Sequence, residues 1–358
     1  MIKEETFTNA WLDQFKRKSQ YKRINPSVFE KMTYALLLLE QLAQSDMEFI
    51  FKGGTSLVLL LKDTNRFSVD IDIMTTWQKE NIERSLDNIV KNSVFTHWEE
   101  DKRDSKGVSV PKSHYKIFYN SEINPNADIL LDVLFENNYY PNTINVPVSC
   151  LWVSVQEPLP EVNVPCINSI LGDKLTAFAP NTTGIRYNTG KHIEIIKQLY
   201  DIGKLVDNMT DFEIVKSSFQ RIAHAQIAYR ELDITYSEVC DDIIETALII
   251  AKETRNTNQD DDKIKMKEIQ SGITGFQGFL MSGYFRLDEA VAASAKAGYL
   301  AAKIKTDDNT PIELFRKQDM SKLIIGNLSY NFLNRLQKIN KEAYYYWYKL
   351  LVTLGIEQ

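Results

Sequence analysis

Asp70 and Asp72 stand two positions apart in the stretch Arg66-Phe67-Ser68-Val69-Asp70-Ile71-Asp72-Ile73. Successive side chains on a strand point to opposite faces, so both carboxylates would project together while Val69, Ile71 and Ile73 turn into a core. Neighbouring carboxylates raise each other's pKa, a cost that a bound cation removes. Upstream, the short apolar run Phe49-Ile50-Phe51-Lys52 leads into Gly53-Gly54-Thr55-Ser56. That reads as strand, glycine turn and helix start. Glycines let a backbone approach a phosphate, and a helix N-terminus offers free N–H groups and a positive dipole end. A hydroxyl from Thr55 or Ser56 would add a donor. Taken singly, a Gly-Gly-Thr turn is more often just a tight turn, and two strand-end carboxylates are commonly solvated. Together they carry more weight, because Mg²⁺ takes one or two carboxylates and completes its shell with substrate phosphate oxygens. The combination argues for nucleoside triphosphate chemistry.

The elements that must position these groups follow from the apolar pattern. Asn25-Pro26-Ser27 opens a helix through about Gln44, with Val28, Met32, Ala35, Leu38, Leu39 and Leu42 at helical spacing. A strand over 49–52, a helix entered through Gly53, and the strand bearing Asp70 and Asp72 come next. Residues 78–92 read as an amphipathic helix, and 95–98, 114–119 and 129–135 as strands, so the sheet is mixed. The proline-bearing stretch 158–165 reads as a connection and domain boundary. Beyond Asn168 strands nearly vanish, and helical patterns cover 168–178, 191–206, 211–230, 237–254, 284–304, 319–336 and 341–353. The expected fold is α+β: a domain over 1–160 with a mixed β-sheet flanked by helices, then a C-terminal α-helical bundle over 161–358. The polar run Asn256 to Asp262 is the expected mobile loop. Tyr344-Tyr345-Tyr346-Trp347-Tyr348 and the Ala-rich run Ala290 to Ala302 read as core packing rather than base-stacking surfaces.

Composition narrows the function. A chain of 358 residues exceeds the usual size of one core. Its 44% hydrophobic and 25% charged residues are globular values. The first residues lack the basic start and apolar run of a signal peptide, no apolar run reaches the ~20 residues of a membrane span, and a cytoplasmic protein is expected. Cys150, Cys166 and Cys240 form no close pair and suit reduced core thiols. None of the four histidines stands at a metal-ligand spacing from another, so histidine chemistry is not expected to lead. The formal charge of −6 argues against a general nucleic-acid coat protein. Short basic clusters, such as Lys16 to Arg23, read as solvated faces.

Lys52-Gly53-Gly54-Thr55-Ser56-Leu57 with Arg66 to Ile73 closely resembles the signature of the AbiEii/AbiGii-type nucleotidyltransferase toxin family, within the DNA polymerase β-like nucleotidyltransferase superfamily. The resemblance covers roughly residues 30 to 205. It implies that 1–160 is a nucleotidyltransferase-fold domain whose metal ligands are Asp70, Asp72 and a third carboxylate from a later strand. Asp132, flanked on both sides by apolar residues in Ile129 to Phe135, matches that position, and Asp128 is its rival. In Leu171-Gly172-Asp173-Lys174-Leu175, Lys174 matches a helical lysine whose ammonium would neutralise triphosphate charge. Lys197-Gln198-Leu199-Tyr200-Asp201-Ile202 resembles an Arg-Asp-Leu-Tyr-Asp-Leu segment, with Asp201 at the second acid and Gln198 in place of the first. Asp201 therefore either carries the family role or orients Lys174 or Arg186. Arg186 matches an arginine that family members carry in this region, and it would hold a phosphate bidentately.

These residues compose one expected mechanism. Asp70, Asp72 and Asp132 would bind Mg²⁺ or Mn²⁺, with Gly53, Gly54, Thr55, Ser56 and Arg186 seating the triphosphate of an NTP and Lys174 offsetting charge on the pyrophosphate. The resemblance further implies a bacterial toxin of a toxin–antitoxin or abortive-infection system, with an RNA such as tRNA as acceptor and a cognate antitoxin protein as partner. Two alternatives stay open: transfer to a protein or small molecule, and a catalytically silent module that binds nucleotide or a partner.

Overall fold

The computed structural model describes residues 1–61, 65–102, 110–252 and 260–357. The chain divides into two compact units, one of Met1–Cys166 with Gly278–Tyr284 and one of Ile167–Gln277 with Phe285–Gln358.

The first unit runs α1 (Asn9–Lys16), α2 (Pro26–Gln44), β1 (Ile50–Lys52), α3 (Gly53–Leu60), β2 (Ile71–Thr75), α4 (Lys79–Asn92), β3 (Phe95–Glu100), β4 (Lys112–Tyr119), β5 (Asp128–Phe135), β6 (Thr143–Pro147) and β7 (Glu161–Pro165). Its seven strands form one mixed sheet in the order β3-β4-β5-β2-β1-β7-β6. The pairs β2/β5 and β1/β7 are parallel and the others antiparallel. One face is apolar: Phe51, Ile71, Ile73, Tyr115, Ile117, Ile129, Leu131 and Val133 pack with Leu36, Leu38 and Leu39 of α2 and Ile82 and Leu86 of α4. Asn25 starts α2 by accepting from the N–H groups of Ser27 and Val28, and Pro26 fills a position whose N–H needs no partner.

A second cluster takes in Val58 of α3, the helix that begins at the glycine turn. Leu12, Phe15, Phe29, Met32, Val58, Phe67, Trp152 and Met281 pack together, with the Phe15 and Trp152 rings 4.9 Å apart. The 278–284 segment reaches this cluster as a short antiparallel rung: Phe67 N–H donates to Phe279 O at 2.7 Å, and Met281 N–H donates to Asn65 O at 2.8 Å. These bonds fix the polypeptide just before Asp70.

The 158–165 stretch is more than a connection. β7 carries Val162 and Val164 into the core and pairs with both β1 and β6. Prolines at and before its ends mask a two-residue alternation too short to stand out in the sequence.

The second unit is helical: α5 (Ile167–Ala177), α6 (His192–Asn208), α7 (Phe212–Tyr229), α8 (Tyr236–Lys252), α9 (Asp260–Phe276), α10 (Leu287–Lys305), α11 (Leu336–Ile339) and α12 (Lys341–Thr353). α10 is buried from Ala290 to Ile304. Its small side chains admit close neighbours: a Cβ at Gly298 would lie 2.8 Å from Leu350 Cδ1 of α12. Tyr344, Tyr345, Tyr346 and Trp347 are buried as core residues. Two expectations change here. Asp260 to Asp262 form the first turn of α9, and residues 256–259 of the expected mobile loop lie outside the described residues. Most of 319–336 is not helical, because side chains satisfy its backbone instead: Asn334 bonds both the N–H and the C=O of Ile325, and Tyr344 donates to Leu323 O at 2.6 Å. Among the described residues no helix is long and apolar enough to cross a membrane.

Candidate active site

Strand register places the sequence-predicted acids. Lys52 of β1 faces Asp72 of β2, Asp72 faces Asp132 of β5, and Asp132 faces His114 of β4. Directly paired residues share a face, so four neighbouring strands present Lys52, Asp72, Asp132 and His114 in one row on the face opposite α2 and α4. Asp128 is four residues from Asp132 on β5, pairs with Phe118, and lies 3.8 Å from Lys31 Nζ through its carboxylate. Asp132, not Asp128, is therefore the register neighbour of Asp72. Asp70 lies one residue before β2 and is pinned through its carbonyl, which accepts from Thr55 Oγ1 at 2.6 Å.

The glycine turn lies against this row. Gly53 has φ +75°, and a Cβ there would overlap Asp72 Oδ2. The residue must be glycine both for its backbone and for the carboxylate above it. A Cβ at Gly54 would meet Arg66 Nη2 and, at 2.8 Å, Ser68 Oγ. Thr55 and Ser56 are fully buried, and their hydroxyls donate to Asp70 O and, at 2.8 Å, to Gly53 O. What the turn presents to an anion is thus main-chain N–H rather than hydroxyl, at a helix start with no side-chain cap.

Burial raises the Asp72 carboxyl to about 6, Lys52 opposes the shift, Asp132 and Asp70 add to it, and Lys112 opposes it. A carboxylate held against desolvation and two like charges is one that a cation would stabilise. Among the described residues no three His, Cys, Asp or Glu side chains group closely enough to hold a metal ion by themselves. An oxygen-only pair such as Asp72 and Asp132 fits a hard divalent cation that draws further oxygens from a phosphate ligand and water.

In the second unit, Lys174 of α5 and Asp201 of α6 form a buried ion pair at 3.0 Å. Of the two roles open to Asp201, that of Lys174's partner has this direct contact behind it. Gln198 is half-buried on α6. Arg186 is exposed, in the α5–α6 connection. That connection is held by Asp242, whose carboxylate accepts from Asn181 N–H at 2.8 Å, Asn181 Nδ2 at 2.6 Å and Thr182 Oγ1 at 2.8 Å. Arg230 donates to Thr182 O at 2.9 Å, and burial together with the nearby Arg186 charge lowers its pKa.

Sequence reasoning missed Lys52, Arg66 and His114 as site residues. Arg66 is buried, with Nη1 donating to Phe67 O at 3.0 Å and Nη2 against the glycine turn. His114 Nδ1 lies 2.7 Å from Asp132 Oδ1. No motif spacing could have found this contact, because strand pairing creates it.

MenT4, a nucleotidyltransferase toxin from Mycobacterium tuberculosis H37Rv, is similar in structure over 97% of this chain and 99% of its own, at a TM-score of 0.51 and 12% identity. JHP933 from Helicobacter pylori is similar over 79% of this chain and 94% of its own, at a TM-score of 0.42 and 14% identity. An antigenic nucleotidyltransferase-like protein from Paracoccidioides brasiliensis is similar over 59% of this chain and 96% of its own, at a TM-score of 0.35 and 13% identity. The first of these shows a shared fold. No curated protein matches in sequence. The profile of the family described as nucleotidyl transferase AbiEii toxin, type IV toxin–antitoxin system, matches residues 37–293, from α2 into α10 and well past the segment that carries the motifs. The chain belongs to the AbiEii nucleotidyltransferase toxin family.

Proposed function

We propose that this nucleotidyltransferase moves a nucleoside monophosphate from an NTP to a hydroxyl of an RNA such as tRNA, with a divalent cation held by Asp72 and Asp132, Asp70 beside them. The observation that carries the reading is the register pair Asp72–Asp132 set against Gly53, which brings a hard-cation donor pair and a run of main-chain N–H groups to one place. Bound there, Mg²⁺ or Mn²⁺ would neutralise triphosphate charge and make the acceptor hydroxyl easier to deprotonate. The chain's own groups hold the substrate. The N–H groups at the start of α3 seat phosphate oxygens, the missing side chains at Gly53 and Gly54 let them come close, and Lys52 adds positive charge beside Asp72. Lys174 would serve the departing pyrophosphate, and Arg186 a phosphate. As a type IV toxin the protein would be countered by a cognate antitoxin, and it would act in the cytoplasm.

The test is to incubate the full chain with Mg²⁺, total RNA and each α-labelled NTP in turn, beside Asp72→Asn. Label is expected in RNA with the parent only, and EDTA should abolish it. No NTP consumption by the parent, or equal activity of the variant, would sink the metal and nucleotide assignment. Label entering protein or a small molecule instead would overturn the RNA acceptor and leave the transfer chemistry standing.

A further inference from the structure

His114 is the end member of the row Lys52, Asp72, Asp132, His114. We infer that His114 is a positioning residue for the cation site: its Nδ1–H donates to Asp132 Oδ1 and turns the other oxygen of Asp132 toward Asp72. This rests on the proposed role of Asp72 and Asp132 as cation ligands.

Three observations carry it. The contact is direct and short, 2.7 Å between Nδ1 and Oδ1, the range of a charge-assisted hydrogen bond. A hydrogen bond at this distance has one hydrogen between the two atoms, and the inference places it on Nδ1 with Asp132 as the acceptor. The backbone that carries the imidazole is also held in place. Its neighbours Ser113 and Tyr115 are buried on the apolar side, and the His114 carbonyl accepts from Asp101 N–H at 2.7 Å. Finally, the geometry leaves a division of labour. With Oδ1 engaged by His114, Asp132 offers Oδ2 to a cation shared with Asp72, whose own Oδ2 lies over Gly53. A free Asp132 would rotate about χ2 and present either oxygen or both, whereas a hydrogen-bonded one presents one. Outer partners of this kind orient metal-ligating carboxylates, and their loss typically costs roughly 10–100-fold in metal affinity or activity.

The alternative is a surface histidine satisfying an acid it happens to face. The two are separated by measuring Mn²⁺ binding to the full chain, without NTP, by titration calorimetry for the parent, His114→Ala and His114→Asn. The asparagine Nδ2 stands near the position of the imidazole Nδ1 and restores a donor. His114→Ala should weaken Mn²⁺ binding by roughly 10–100-fold, and His114→Asn should recover most of it. In an Asp132→Asn background His114→Ala should change little further, since the contact it removes is already altered. If His114→Ala binds Mn²⁺ as the parent does, or if Asn fails to recover what Ala loses, the positioning role is overturned while the cation site stands. A parent that binds no Mn²⁺ overturns both. If His114→Ala does not fold, His114→Gln, which keeps a donor but misplaces it, takes its place and should also bind Mn²⁺ more weakly than His114→Asn.

Discussion

Asp72→Asn removes a charge that burial disfavours while keeping the side chain's size and its fit over Gly53. The Asp72 carboxyl is raised from 3.8 to about 6, chiefly by burial. An acid whose folded pKa lies above its unfolded value favours folding while protonated and opposes it once ionised. The parent therefore loses stability relative to Asp72→Asn as pH rises from about 4 to about 6, and the gap is constant above that. At 1.36 kcal/mol per unit, the full shift is worth about 3 kcal/mol at pH 8 and about 1.6 kcal/mol at pH 5. Solvent reaching the rim of the site makes both upper values. Urea denaturation in EDTA at the two pH values reads the effect directly, as a variant more stable than the parent at pH 8 by a margin that shrinks at pH 5. Added Mn²⁺ should then close the gap at pH 8 by stabilising only the parent. A variant that is no more stable at pH 8, or a margin that does not change with pH, would refute the view of Asp72 as a carboxylate strained for cation binding. The same variant should be inactive, which is the exchange of stability for function expected at an active site.

Gly53→Ala should destabilise the first unit by about 1–2 kcal/mol or more, since a Cβ meets both a positive φ and the Asp72 carboxylate; urea midpoints measure it. Gly54→Ala should cost less, because the new Cβ meets only side chains, Arg66 and Ser68, and carries no positive-φ strain. Asp201→Ala should cost roughly 3–5 kcal/mol by leaving the Lys174 ammonium buried without its partner, and Lys174→Met combined with Asp201→Leu should be far closer to the parent, a non-additivity that a double-mutant cycle reads.

How much of this was legible depended on whether a feature is local. The α2 boundaries, the turn at Gly53 and the strand carrying Asp72 follow from caps, glycines and period, which act over a few residues. The resemblance implies a third carboxylate on a later strand, the apolar flanks of Asp132 match that position, and strand register sets it opposite Asp72. His114 was passed over because its partner lies on another strand and no histidine spacing marks it. The hydroxyls of Thr55 and Ser56 were expected to point at phosphate, but burial turns them to the carbonyls of Asp70 and Gly53. A sequence shows that a hydroxyl is present, not which unpaired backbone group nearby will claim it. The long apolar period in 319–336 misled in the opposite way, since side chains from Asn334 and Tyr344 compete for the backbone bonds a helix would use.

The two halves of the leading motif are one structural unit, and this explains why weak signals gained force together. β1 and β2 are antiparallel neighbours joined through α3, so Lys52, the last residue of β1, stands opposite Asp72, and the turn at Gly53 begins under its carboxylate. A side chain at 53 would push against the Asp72 carboxylate, and a shift of β2 by one residue would turn Asp72 into the core. Something must therefore hold that register through the polar loop before Asp70. Thr55 does so from one side, through the Asp70 carbonyl. From the other, residues 279 and 281, more than two hundred positions along the chain, clamp Asn65 and Phe67. The motif reads as a local signature, but its geometry rests on a contact with a distant segment, which is why the proposed nucleotide and cation half of the site needs the chain well beyond the motif to be built.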